Sequence, residues 1–258
     1  MRAERISANA ILPAIREPLQ LTTSDGLRLI GELALPVAGD GITPAPVNGT
    51  LVCVHPLPTH GGMMDSHLLR KASWRLPELA GVAVLRFNTR GTSSEAGASE
   101  GTFDEGRSEG FDLAAALSEA DARGLPNIWA LGWSFGSDVV LQHALDTPVR
   151  PAGAILLSPP LRTTTEAQLS RWDTGAPPLR VLVPEHDEFL PPGPAKDRFA
   201  AAPAAGLTVG EGFGHLWVGE PAVRFVLDEI VDAVAPGVPL PLPDSYAGPI
   251  RRFSPHDR

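Results

Sequence analysis

The chain has 258 residues, 43% of them hydrophobic, which is enough for one large domain with a substantial core. Its formal net charge of −9 argues against the phosphate backbone of nucleic acid as a partner. The single cysteine, Cys53, cannot form an internal disulfide or build a thiolate metal site, and its place in the apolar run Leu51-Val52-Cys53-Val54 reads as buried and inert.

Met1-Arg2-Ala3-Glu4-Arg5 is not followed by a long apolar region, so no signal peptide is expected, and no run reaches membrane-spanning length. The expectation is a soluble, cytoplasmic protein without a membrane partner. Residues 1–16 mix charged and apolar types without a period, and 1–18 is taken as an irregular N-terminal arm. Leu19 to Thr23 and Leu27 to Leu35 flank Ser24-Asp25-Gly26. An Asp-Gly turn between alternating runs predicts an antiparallel hairpin. Pro36 to Gly49 is a loop rich in Gly and Pro.

From Thr50 the pattern changes. Leu51 to Val54, Val82 to Phe87, Ile128 to Trp133, Ala152 to Leu157 and Leu179 to Val183 are short continuous apolar runs. They fit strands buried on both faces of a parallel sheet. Leu207 to Gly214 supplies a last strand and a Gly-rich turn. Helix-length segments alternate with these runs: Ser66 to Leu76, Ser108 to Arg123, Ser137 to Leu145, Pro194 to Ala202 and Glu220 to Val234. The alternation predicts an α/β fold, with a mostly parallel central sheet, helices on both faces and the hairpin as an antiparallel edge. Thr92 to Arg107 reads as a surface loop. Leu161 to Pro177 leaves room for a minimal cap only. The main domain is assigned to 19–235. The segment 236–258 opens with Pro236-Gly237-Val238-Pro239-Leu240-Pro241-Leu242-Pro243 and reads as an extended or disordered tail, draped on its own domain.

Gly132-Trp133-Ser134-Phe135-Gly136 lies where a strand gives way to a helix. In that setting a G-x-S-x-G turn exposes a serine above the sheet, at the positive end of a helix. Serine is a weak nucleophile unless a histidine accepts its proton and a carboxylate orients that histidine. Ligands of open α/β sheets bind at the carboxyl ends of strands, which favours His215, after the last strand, as the base. His186 ranks second, and His55, His143 and His256 rank lower. Asp187, at the end of the strand before, is the preferred acid, with Glu185 and Glu188 as rivals. The chain order Ser134, Asp187, His215 is the one this architecture requires. An oxyanion hole needs backbone N–H donors. One is Phe135, next after the serine. The other should lie in His55-Pro56-Leu57-Pro58, where proline has no N–H and Leu57 is left between two prolines. Met63, Met64, Trp172, Leu190 and Trp217 lie on strand-end loops and are candidate apolar wall residues of the substrate pocket.

These motifs resemble those of the α/β-hydrolase superfamily over residues 19 to 235, and within it the small bacterial serine hydrolases related to dienelactone hydrolase. His55-Pro56-Leu57-Pro58 with Gly61-Gly62-Met63-Met64-Asp65 is similar to their His-Pro-x-Pro and Gly-Gly-x-Met-Asp blocks. Arg86-Phe87-Asn88-Thr89-Arg90-Gly91 is similar to their Arg-Phe-Asn-x-Arg-Gly segment. The resemblance implies an α/β-hydrolase fold, Ser134, His215 and Asp187 as a triad, Leu57 and Phe135 as oxyanion donors, and no metal or organic cofactor. Dienelactone hydrolase itself uses cysteine, so its substrate is not carried over. The expected activity is hydrolysis of small to medium carboxylic esters or thioesters. Acyl transfer or peptide cleavage by the same triad is the alternative, and a non-catalytic binding protein of this fold is a third reading.

Overall fold

The computed structural model describes residues 3–39 and 41–254. Eight strands form the central sheet: β1 (Ile15–Thr22), β2 (Arg28–Leu35), β3 (Gly49–Val54), β4 (Val82–Phe87), β5 (Ile128–Trp133), β6 (Gly153–Leu157), β7 (Leu179–His186) and β8 (Gly206–Gly214). Their order across the sheet is β8-β7-β6-β5-β3-β4-β2-β1. The strands from β3 to β8 pair in parallel, and β2 pairs antiparallel with both β4 and β1. The predicted hairpin is present, and Gly26 takes the left-handed φ of +91° that its turn requires. β1 starts at Ile15, inside the stretch read as an irregular arm. Its early residues Ile15, Arg16 and Glu17 are all only partly buried, so they carry no two-residue alternation to reveal the strand.

The helices are α1 (His67–Ala80), α2 (Glu109–Ala122), α3 (Phe135–His143), α4 (Glu166–Leu169), α5 (Pro192–Phe199) and α6 (Glu220–Val234). Alternate side chains of one strand feed opposite faces of the sheet. Val52 and Val54 join the core beneath α2, α3 and α5, whereas Leu51 and Cys53 join the core beneath α1 and α6. This two-sided burial is why β3 to β6 read as unbroken apolar runs.

Two buried ion networks fix the loops that leave β4. Arg86 donates to Glu32, to Asp65 and to the Met64 carbonyl. Arg90 bridges Asp112 at 2.8 Å and Asp25 at 2.9 Å, tying α2 to the first hairpin. The segment 92–107 is therefore more than a solvated loop. Thr92 and Ser99 are buried, and Ser93–Ser94 pairs with Gly97–Ala98. The polar composition misled because these side chains bond to backbone and to each other rather than to water: Ser99 Oγ donates to the Asn88 carbonyl, and Asn88 Nδ2 donates to Ser94 Oγ.

The C-terminal segment runs back along α1. Ser245–Tyr246 pairs with Glu4–Arg5, and Arg251–Arg252 pairs with Ala10–Ile11. Tyr246 donates to Glu78, and the Phe253 ring packs against Trp74. His256 lies outside the described residues. No helix among the described residues is long and apolar enough to cross a membrane.

Candidate active site

β5 ends at Trp133 and α3 begins at Phe135, so Ser134 must turn the chain in one residue. It does so at φ 53° and ψ −118°, a conformation that side chains other than glycine rarely adopt. The neighbouring glycines are required by contact. A Cβ on Gly132 would stand 2.3 Å from the Gly136 carbonyl oxygen, and one on Gly136 would stand 2.3 Å from that of Val54. The Ser134 N–H donates to the Leu157 carbonyl at 2.8 Å, and Ser137 Oγ donates to the Gly132 carbonyl at 2.9 Å, so the turn is held from both sides.

Ser134, His215 and Asp187 meet above the carboxyl ends of β5, β8 and β7. His215 Nε2 lies 2.9 Å from Ser134 Oγ, and Nδ1 lies 2.9 Å from Asp187 Oδ2. With the carboxylate accepting from Nδ1–H, Nε2 is left as an acceptor for the serine hydroxyl. Asp187 and His215 are buried, while Ser134 is partly exposed. Burial alone would raise the Asp187 pKa. The hydrogen bond from His215 and those from the Phe189 and Leu190 N–H groups outweigh it and hold the carboxyl below the ordinary aspartate value.

The chain after β3 forms a tight loop over the turn. Leu57 caps a short 3₁₀ turn, Pro58–His60, at φ −55° and ψ 117°, and its carbonyl accepts from His60 and Gly62. Gly62 packs so close that a Cβ would stand 2.1 Å from the Pro56 carbonyl oxygen. Beneath it His55 is fully buried. The Thr89 N–H donates to His55 Nε2 at 3.1 Å, and His55 Nδ1 contacts the Pro56 carbonyl at 2.7 Å. Burial pushes its pKa down to about 4, so the ring is neutral; with no exposed surface and both ring nitrogens engaged, it is placed as a fixed internal group rather than one that reaches substrate. Arg86 and Asn88 clamp the far end of the same loop at Met64 and Asp65. The Phe135 N–H, at the first position of α3, has no acceptor within the helix.

Of the remaining expected residues, Met63 is half-buried and lines a groove of about 350 Å³ with Asp65, Arg70, Ser93 and Ser94. Leu190 is half-buried and leans on the core under α3. Trp172, Trp217 and Met64 are corrections, because their side chains belong to the interior. Trp172 is buried and donates to the Leu141 carbonyl. Trp217 is buried, donates to Ser158 Oγ and stacks on Phe225. Their loop positions suggested exposure, but each indole finds both apolar neighbours and an acceptor inside. Among the rival acids and bases, Glu185 accepts from the Gly212 N–H, Glu188 and His186 are exposed, and His143 faces the Gly106 carbonyl.

Several residues of the site escaped sequence reading. Ser158 Oγ donates to the His215 carbonyl at 2.9 Å from the end of β6. Phe189 places its ring 4.5 Å from that of His215, and Leu216 next to His215 is also exposed. Adjacency to Asp187 and His215 was the available signal for the last two. Nothing in the run Ser158-Pro159-Pro160 marks the first.

Among the described residues no group of three or more His, Cys, Asp or Glu side chains is arranged to hold a metal ion. A groove of about 790 Å³ lies away from this chemistry, between α2, β1 and the end of α3, and is lined by Phe111, Ser118, Glu119 and His143.

No family model and no curated protein sequence matches the chain. Solved structures do. A lidless α/β serine hydrolase from Xanthomonas campestris is 27% identical and superposes with a TM-score of 0.70, over 89% of this chain and 99% of its own. An α/β serine hydrolase homologue from Coxiella burnetii is 24% identical, with a TM-score of 0.67 over 83% of this chain and 95% of its own. An esterase from Pyrococcus furiosus is 16% identical, with a TM-score of 0.66 over 86% of this chain and 92% of its own. The latter two comparisons bear on the fold alone.

Proposed function

Starting from a hydrolase of the α/β superfamily, to which the fold assigns this chain, we propose that it is a serine hydrolase cleaving carboxylic esters or thioesters of small to medium size. The observation that carries the reading is the unbroken hydrogen-bond series from Ser134 Oγ through His215 to Asp187, with the serine at a strained turn. In this scheme His215 Nε2 takes the Ser134 proton as Oγ attacks the acyl carbon. The Leu57 and Phe135 N–H groups stabilise the oxyanion, and His215 then passes the proton to the departing alcohol or thiol. Water, activated by the same nitrogen, attacks the acyl-enzyme, and the released proton returns to Ser134 as the acid leaves. Every proton is accounted for by one histidine, and no cofactor enters.

The cap supports small or open-ended substrates. Between β6 and β7 it contains only α4 and a 3₁₀ turn, Ser170–Trp172, and it packs down on α3 through Leu169 and Trp172. Ser134→Ala assayed with a short p-nitrophenyl ester tests the proposal. Turnover should fall to the residual level, and a variant that retained wild-type turnover would remove the basis for the reading.

A further inference from the structure

Arg162 and Phe189 form a plate beside His215 that the triad chemistry leaves unused. The Phe189 backbone is fixed by its N–H bond to Asp187, and its ring is half-exposed and packed at 4.5 Å against the His215 ring. The Arg162 guanidinium lies over that ring, with its Cζ 5.3 Å from the centroid. The base of Arg162 is held by buried Asp138 of α3. That carboxylate accepts from the Arg162 N–H at 3.2 Å, the Thr164 N–H at 3.1 Å and the Thr164 hydroxyl. Yet among the described residues the guanidinium takes part in no ion pair, although most other arginines of the chain do. Exposed Glu188, the sequence neighbour of Phe189, does not pair with it, and exposed Glu105 pairs with Arg107. An arginine stacked on an aromatic face keeps its in-plane N–H groups free to bind a carboxylate or phosphate edge-on.

Which half of the substrate meets this plate follows from the proton path. The leaving atom receives its proton from His215 Nε2, so the alcohol or thiol portion must depart on the histidine side, away from the Leu57 and Phe135 donors. Phe189 is the exposed ring on that side. Resting on the reading of Ser134 as nucleophile, we propose that Arg162 and Phe189 form a leaving-group subsite that selects esters or thioesters whose leaving group carries an anionic group, carboxylate or phosphate. The organic part of the leaving group lies on Phe189 and its anion pairs with Arg162. In a chain of net charge −9 this is a local cation over the ring that packs against His215.

The test compares three aryl acetates that share one acyl group: 4-acetoxybenzoate, 4-acetoxyphenyl phosphate and neutral 4-acetoxybenzamide. For each enzyme the readout is the ratio of kcat/KM for an anionic ester over that for the amide, so intrinsic leaving-group reactivity cancels between variants. The ratio should fall about fivefold in Arg162→Gln, the upper range for an exposed ion pair, and recover in part in Arg162→Lys. Added salt should lower the wild-type ratio and leave that of Arg162→Gln flat. A larger fall for one of the two anionic esters identifies the anion that the subsite prefers, and equal falls identify a subsite that accepts either. A ratio unmoved by Arg162→Gln, with Ser134-dependent turnover of the amide intact, overturns the subsite alone. Absence of turnover on all three esters overturns the hydrolase reading and the subsite together.

Discussion

Ser158 Oγ donates to the backbone carbonyl of His215 at 2.9 Å and accepts from Trp217 Nε1 at 2.8 Å. One hydroxyl thus holds the backbone of His215 while Asp187 holds its ring. Ser158→Ala would leave a buried carbonyl and a buried indole N–H without this partner. A loss of about 1–3 kcal/mol of stability is expected, read as a lower urea midpoint at unchanged slope. Turnover of a p-nitrophenyl ester should fall as well, since the ring's register on Ser134 depends on that backbone. Unchanged midpoint and rate would show that the hydroxyl is dispensable.

Asp187 carries a pH signature. Its folded pKa is depressed, so its contribution to stability is fully present above the unfolded aspartate value near 4 and is lost as pH falls through the lower folded value. The difference in unfolding free energy between the wild type and Asp187→Asn should therefore be flat from pH 7 to about pH 5 and shrink in more acidic solution. The same variant should lose on the order of 10⁴ in kcat, because an amide can hold the imidazole in the wrong tautomer. A stability difference that grows on acidification would contradict the assigned role.

Leu57 offers a test of the proposed oxyanion donors with little change of backbone shape. Its φ of −55° is the angle proline prefers, and its ψ of 117° suits a residue before Pro58. Leu57→Pro removes the N–H alone among the loop's polar groups. An expected fall of 10²–10³ in kcat, with an unchanged circular dichroism spectrum, would match the loss of one oxyanion donor. Retention of full kcat would move the donor elsewhere.

Cys53 should be chemically silent. It is fully buried in β3, and burial pushes its thiol up to about 12. Ellman's reagent is expected to titrate no thiol in the native protein and one in denaturant. A fast native reaction would mean that β3 opens to solvent.

Much of this was legible because it depends on local geometry. The elbow at Gly132 to Gly136 needs a strand before it, a helix after it and two residues without Cβ, and all three are written in neighbouring positions. The order of Asp187 and His215 follows from strand order, and the two prolines around Leu57 act within a tripeptide. Residues that act across the fold were harder. Nothing local distinguishes Ser158, 57 positions before His215, from any serine preceding proline. Trp172 and Trp217 sit on loops that fold inward to meet a carbonyl and a hydroxyl, so loop position misreported their burial. The Arg86-Phe87-Asn88-Thr89-Arg90-Gly91 segment was visible as a motif. Its work of clamping the Leu57 loop through Met64, Asp65 and His55 emerged only from the contacts.

The most direct measurement of the central claim is covalent trapping. The protein is incubated with an alkyl fluorophosphonate, digested, and the modified peptide is sequenced by mass spectrometry. One phosphonyl group per chain is expected on Ser134, at a rate that collapses in His215→Ala. A label on another residue, or rapid labelling of Ser134 without His215, would contradict the triad.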